Sequence, residues 1–184
     1  FSVFRQKRGK NGITYNYACA GGLYPIDIFF YVKEGRVQGL DKGLYYYSPV
    51  DNSFYLVNEH AVIDSGAYYY TNKPIFNSSA VSIFLLYNAG VTMPKYSAMG
   101  YFYACIDAGI MVATLTYIAE LLEIGVCSIG NMDFDKISEY FNLTPEQVWI
   151  HTIEIGLKPD RKNREATSPL VCAQMSEEKV EQEE

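Results

Sequence analysis

The sequence is short of the side chains that build metal centres and disulfide frameworks: it has 4 cysteines and 2 histidines in 184 residues. Cys19, Cys105, Cys127 and Cys172 are widely separated, no pair forms a CxxC, and only His60 and His151 accompany them. That spacing argues against a structural zinc site or a disulfide scaffold, so no metal ligand is assigned. It reads as a reducing, cytoplasmic setting. Positive charge is also scarce, with 15 Lys and Arg against 21 Asp and Glu, a net charge of −6 and a pI near 5.0. A broad phosphate-binding surface does not fit that balance, and no nucleic-acid partner is expected. No signal-peptide pattern occurs. The longest apolar run, 108–119, falls short of the roughly 20 residues that cross a bilayer, so no membrane partner is expected either. A start at Phe1 reads as a truncated N-terminus.

What is plentiful is aromatic: 17 Tyr and 10 Phe, which favour strand-rich surfaces and flat cavities. Hydrophobic residues at 49% and charged ones at 20% fit one soluble globular domain with a proper core. The apolar runs 26–32 and 81–87 read as buried strands, and 43–47 with 53–57 as a hairpin. Segments 126–129 and 148–155 complete the strands. Residues 1–8 read as a helix end, Asn11-Gly12 as a turn, 60–70 as a short helix, Asn72-Lys73-Pro74 as a break and 88–94 as a loop. Apolar Phe102, Ile106, Ile110, Tyr117, Leu121 and Leu122 recur near helical spacing, predicting a long central helix over 98–123 that Gly125 ends. Asp133 is a natural N-cap for a helix to about 141. The expected fold is α+β, a three-layer sandwich of a mostly antiparallel sheet flanked by helices. The domain spans 1–157, followed by a polar, partly disordered tail over 158–184.

Several short stretches can carry chemistry. Residues 17–25 read YACAGGLYP, and Ala20, Gly21 and Gly22 leave backbone bare enough for a flat or anionic ligand to lie against it. Arg5, Lys7 and Arg8 form a basic run whose plainest reading is a solvated face. Lys95 and Tyr96 follow Pro94 in what reads as a polar surface loop. Asp107 interrupts an apolar helical stretch, where an unpaired carboxylate is costly, so a hydrogen bond to a neighbouring loop is expected. His60 and His151 are too far apart in sequence to suggest a dyad.

Five ordered segments, FRQKR (4–8), YACAGGLYPI (17–26), GLYYYSP (43–49), PKYSAMGYFYACIDAG (94–109) and GVCSIGNMD (125–133), resemble the nitroreductase-like flavoproteins. The likeness is closer to their azoline-dehydrogenase branch. NKPIF (72–76) and His151-Thr152 look more like the oxidases of nonribosomal peptide synthetases. The resemblance implies bound FMN, a nitroreductase-like sandwich and a homodimer with flavin at the interface. Arg5, with Gln6 and Lys7 beside it, matches the phosphate-binding arginine; a guanidinium offers a bidentate fork. Ala18, Cys19, Ala20, Gly21 and Gly22 match a P-S-A-G-G segment lying along the flavin, with Ala18 in place of Pro and Cys19 in place of Ser. Ser128, Ile129, Gly130 and Asn131 match a segment presenting a backbone N–H near flavin N5, where a fixed donor tunes reduction.

Lys95 and Tyr96 match the catalytic pair. Turning a thiazoline or oxazoline into the azole removes a hydride and a proton from adjacent carbons. The proton needs a base, and both side chains have ordinary pKa values near 10. Placing them together favours an ionised Tyr96 as acceptor with Lys95 supporting it, or the reverse. The resemblance thus implies an oxidase acting on a heterocycle tethered to a peptidyl carrier protein, with the flavin returned by dioxygen. An NAD(P)H-dependent nitro- or quinone reductase, or a non-catalytic docking domain of a synthetase, are the alternatives.

Overall fold

The structure, a computed structural model, describes residues 2–9 and 12–158; the turn expected at Asn11 and the polar tail from residue 159 fall outside the described residues. A small hairpin of β1 (Lys7–Gly9) and β2 (Gly12–Thr14) precedes a six-stranded sheet. The sheet holds β3 (Ile26–Val32), β4 (Gly43–Ser48), β5 (Ser53–Asn58), β6 (Val81–Asn88), β7 (Ile124–Ile129) and β8 (Gln147–Leu157). Its order is β5-β4-β3-β6-β8-β7, and every pairing is antiparallel. The expected architecture is the one observed. Helices α1 (Lys73–Ser78), α2 (Ala89–Tyr96) and α3 (Met99–Leu121) complete it.

β3 and β6 form the middle of the sheet, and their near-continuous apolar sequences fit burial on both faces. Ile26, Ile28, Phe30 and Val32 pack on one side with Ile83, Leu85, Tyr87 and the inner face of α3. Phe29, Tyr31, Phe84 and Leu86 pack on the other, beneath α1 and the chain over 129–141. The single polar break in β3 is explained by a cross-strand tie. The Asp27 carboxylate accepts from Asn88 Nδ2 at 3.2 Å and Gln147 Nε2 at 2.7 Å, binding together the ends of β3, β6 and β8.

Several local expectations are corrected. Only Ser2–Phe4 is helical near the N-terminus, as a 3₁₀ turn, and Lys7–Gly9 is a strand. Pro74 starts a helix rather than breaking one, since proline is tolerated in a first turn. The stretch 88–94 is not a loop: α2 runs through Pro94. Glu123 at φ +56, not Gly125, takes the left-handed position after α3, and Gly125 belongs to β7. Asp133 makes no capping bond and pairs with Lys136 at 2.9 Å, and two 3₁₀ turns replace the expected helix.

The largest correction concerns which face of α3 meets the sheet. Gly100, Ala104, Ala108, Met111, Leu115 and Ala119 are buried, whereas the expected contact residues Phe102, Ile106, Tyr117, Leu121 and Leu122 are exposed. Close approach explains this: a Cβ on Gly100 would lie 2.8 Å from Thr92 Oγ1 and 3.0 Å from Tyr87 Oη. Small residues let the helix sit down on the aromatic sheet, and the bulky ones turn outward. α3 also has the length and mean hydropathy, 1.6, of a membrane-crossing helix, although the apolar run is short. Its inner face is packed on the sheet and carries the buried Asp107.

A polar knot lies on the opposite side of the sheet. The buried Glu154 carboxylate accepts from Tyr68 Oη at 2.6 Å and Ser82 Oγ at 2.9 Å, also from Ser79, and pairs with Lys33 at 3.4 Å. Burial pushes the Lys33 ammonium down to about 8 against the pull of Glu154. Removing one partner would leave the other charge buried and uncompensated, at a cost of about 3–5 kcal/mol. We therefore expect Lys33→Met to lower unfolding stability by about 3 kcal/mol in urea titration, with Lys33→Met/Glu154→Gln regaining much of the loss. Equal stability of the single and double variants would contradict this.

Candidate active site

The stretch 17–25 forms a tight turn on the α3 side of the sheet. Ala20–Gly22 is one 3₁₀ turn in which Gly21 and Gly22 take φ of +63 and +66, a conformation that glycine adopts without a steric penalty. Asp107, on the inner face of α3, anchors this turn from below. Its Oδ1 accepts the Ala20 N–H at 3.1 Å and its Oδ2 accepts the Cys19 thiol at 2.9 Å. This is the loop bond expected for that carboxylate. The Tyr24 N–H then donates to Cys19 Sγ at 3.0 Å, closing the turn on itself. Burial first, and then the adjoining carboxylate, push the Cys19 thiol up to about 12, so it is not a nucleophile at neutral pH. The one hydrogen of the thiol is thus spent inward, on Asp107.

The same turn receives the Lys95–Tyr96 pair. Both residues lie in the last turn of α2, directly before α3, and Ser97 at φ +49 makes the bend between the helices. A Cβ placed on Gly21 would stand 2.1 Å from Tyr96 Oη and 2.8 Å from Lys95 Nζ. The phenol and the ammonium therefore rest directly on the Gly21 backbone, in space that only glycine leaves open. Lys95 Nζ is 5.0 Å from the centre of the Tyr96 ring, and Tyr103 packs edge-on against that ring at 5.1 Å. Gly22 is open: no atom lies within 4 Å of its notional Cβ. Bare backbone beneath a cation and a phenol is the kind of surface a flat, electron-accepting ring can lie on.

The remaining expected residues divide into two groups. Of Arg5, Gln6 and Lys7, Gln6 is tied to the turn through tyrosines. Tyr15 Oη donates to Gln6 Oε1 at 3.5 Å, the Tyr15 ring stacks on Tyr24 at 3.8 Å, and Tyr24 bonds to Cys19. Arg5 is exposed beside Tyr47. Ser128, Ile129, Gly130 and Asn131 lie elsewhere, at the end of edge strand β7, three places from β3 in the sheet. At the ~4.8 Å spacing of strands, that is about 14 Å away. The structure thus brings Lys95 and Tyr96 onto Ala18–Gly22 but does not bring Ser128–Asn131 there within one chain.

Two features were missed in the sequence. Tyr24, a non-glycine at φ +52, carries the strain that residues at working sites often bear, and the stack of Tyr15 on it walls one side of the turn. Ser128 hydrogen-bonds His151 Nε2 across the β7–β8 pair, which their separation of 23 residues did not announce. An apolar cavity of about 470 Å³, lined by Val3, Asn16, Leu115, Ile118, Leu122 and Ile124, lies along the C-terminal half of α3 and includes none of these residues.

With this geometry in view, the class of protein follows: residues 13–157 match the model of the Nitroreductase family, and the chain belongs to that family. Its fold is similar to that of the microcin synthetase McbBCD of E. coli, solved with truncated pro-MccB17 bound, with a TM-score of 0.70 and 16% identity over 86% of this chain and 61% of that one. A nitroreductase-type protein of Ralstonia eutropha matches with a TM-score of 0.67 and 17% identity, over 80% of this chain and 64% of the other. CLA-ER, an enone reductase of gut-bacterial fatty acid saturation metabolism, matches with a TM-score of 0.53 and 15% identity over 82% and 79%. The chain therefore spans under two thirds of the first two. No curated protein matches in sequence.

The Asp107 clamp can be checked through Cys19 itself. In Asp107→Asn the carboxylate's contribution is gone, and alkylation of Cys19 at pH 8, followed by peptide mass spectrometry, is expected to accelerate about tenfold per unit of pKa lost. Exposed Cys105 serves as the reference. An unchanged Cys19 rate would show that Asp107 does not control the turn.

Proposed function

We propose that the protein is an FMN-dependent oxidase that converts a carrier-tethered thiazoline or oxazoline into the corresponding azole. The observation that carries this reading is the seat of Lys95 and Tyr96 on the Gly21 backbone. Removing two hydrogens from a saturated ring bond needs a base for the one that leaves as a proton, and the couple is placed to supply it.

The residues present fit the cofactor. The open backbone at Gly22, beside the couple seated on Gly21, suits the flat ring, and Arg5 with Lys7 offers cations for the phosphate. Bound FMN would supply the hydride acceptor and pass the electrons to dioxygen. The chain's own part is proton transfer. Tyr96 Oη is the group nearest the turn and is assigned as acceptor of the ring proton, with Lys95 Nζ beside it over the same glycine. Tyr103 and the bend at Ser97 fix the phenol in place, so that little reorganisation is needed when the substrate arrives.

Ser128–Asn131 enters the same site from a second copy of the chain. The outer face of α3 is built for such a partner: Phe102, Ile106, Tyr117 and Leu121 are exposed around Gly109 and Ala113, whose small size permits close helix–helix approach. A homodimer then sets the turn of one protomer near the β7 end of the other.

Three measurements test the reading. Purified protein titrated with FMN is expected to turn yellow and quench flavin fluorescence; a protein that binds no FMN would be a docking module instead. Carrier-bound thiazoline should lose two hydrogens by mass, and Tyr96→Phe, with flavin retained, should slow this at least about 100-fold. Full activity of Tyr96→Phe, or rapid flavin bleaching by NAD(P)H with no effect of thiazoline, would overturn the assignment. Finally, a side chain at Gly109 meets nothing within 4 Å in the single chain, so Gly109→Arg should fold, run as a monomer in size-exclusion chromatography and lose FMN. A dimeric Gly109→Arg that keeps its flavin would place the interface elsewhere.

A further inference from the structure

We infer that His151, held by Ser128, is a proton-handling residue of the flavin site, taking up a proton as electrons arrive there and giving it back as they leave. The inference rests on the flavin reading above and extends it to a residue outside the Lys95–Tyr96 couple.

The geometry has three parts. First, both side chains face the α3 side of the sheet, since Ser128 pairs with Ile153 and His151 with Leu85, and both partners are buried in the core on that side. A bulge at Ile150 produces this: Trp149 pairs with Leu86 and packs on the opposite face, whereas His151 pairs with Leu85. Bulges re-aim side chains in this way beside working sites. Second, His151 Nε2 and Ser128 Oγ share a hydrogen bond that fixes the imidazole. Third, the ring edge lies along the Gly130 backbone, with Cε1 4.0 Å from a notional Gly130 Cβ; in the dimer proposed above, that segment meets the flavin of the partner. Ser128 and Gly130 are exposed, so the pair opens outward at the end of β7.

The electrostatics suit the role. Burial alone lowers the His151 pKa below 6.5. Its register partner Leu85 and its hydrogen-bond partner Ser128 do not ionise near neutrality, and Cys127 and Glu154 belong to the opposite face of their strands. The resting imidazole is therefore neutral near pH 7. Negative charge arriving nearby favours its protonated form, because an opposite charge within a few ångströms raises a histidine pKa. The balance closes over a cycle. The heterocycle gives up two electrons and two protons, dioxygen takes up both as hydrogen peroxide, and His151 borrows one proton from solvent and returns it.

The test uses the FMN-loaded protein. Reductive titrations between about pH 6 and 8.5 should give a midpoint potential that falls more steeply in the wild type than in His151→Gln, by about 30 mV per pH unit, the value for one further proton per two electrons. Ser128→Ala should keep the steeper slope with its pH window moved. In the wild type, NMR titration of the His151 ring should show its pKa rising tenfold or more in proton affinity on reduction by dithionite, with exposed His60 as reference. Equal slopes in wild type and His151→Gln, or a His151 titration indifferent to reduction, would overturn the inference while leaving the flavin reading intact. A wild type that binds no FMN would overturn both.

Discussion

One buried carboxylate holds the site together. Asp107 lies on the inner face of α3, where a charge is costly unless it is met by donors, and it is met by the Ala20 N–H and the Cys19 thiol. Those two bonds fix the turn that carries Gly21 and Gly22 to the helix that begins just after Tyr96. The Lys95–Tyr96 pair and the surface it covers are thus attached to the same rigid element from two directions. Without the clamp, the left-handed glycines would be free to wander, and the seat for the phenol would have no fixed floor.

The second constraint is the distance between α3 and the sheet. Gly100 beside Thr92 and Tyr87, followed by Ala104 and Ala108, brings the helix close enough for Asp107 to reach the turn. The same choice forces the bulky side chains outward. An outer face lined with Phe102, Ile106, Tyr117 and Leu121 is therefore a consequence of how the site is built, and it gives a partner chain an apolar surface to cover. The candidate site and the exposed apolar face have a common origin in one helix.

The middle of the sheet was plain in the sequence because β3 and β6 are apolar on both faces, and the hairpin because polar turn residues separate two aromatic runs. The long helix was legible in extent but not in orientation. Hydrophobic periodicity picks out large residues, whereas this interface is made from small ones, so the reading selected the opposite face. Pro94 made α2 look like a loop, although a proline late in a short helix displaces few hydrogen bonds. Lys95, Tyr96, Cys19 and Gly21 were recognisable as residues, but their contact could not be read from spacing. It arises because Asn88, at the end of β6, lies beside the start of β3, which delivers α2 to the turn across some seventy residues of chain. The Ser128–His151 bond was hidden for a similar reason, since a one-residue bulge decides which way His151 faces.

The claim on which the account turns is that flavin and heterocycle meet on the Gly21–Gly22 backbone beneath Tyr96. A crystal structure of the FMN-loaded protein with a thiazole product addresses it directly. The account predicts the isoalloxazine ring against the open Gly22 backbone beside the couple, the thiazole stacked on it, and Tyr96 Oη within reach of the carbon that lost its proton. A flavin bound away from that turn, with Tyr96 still resting on bare Gly21, would contradict it.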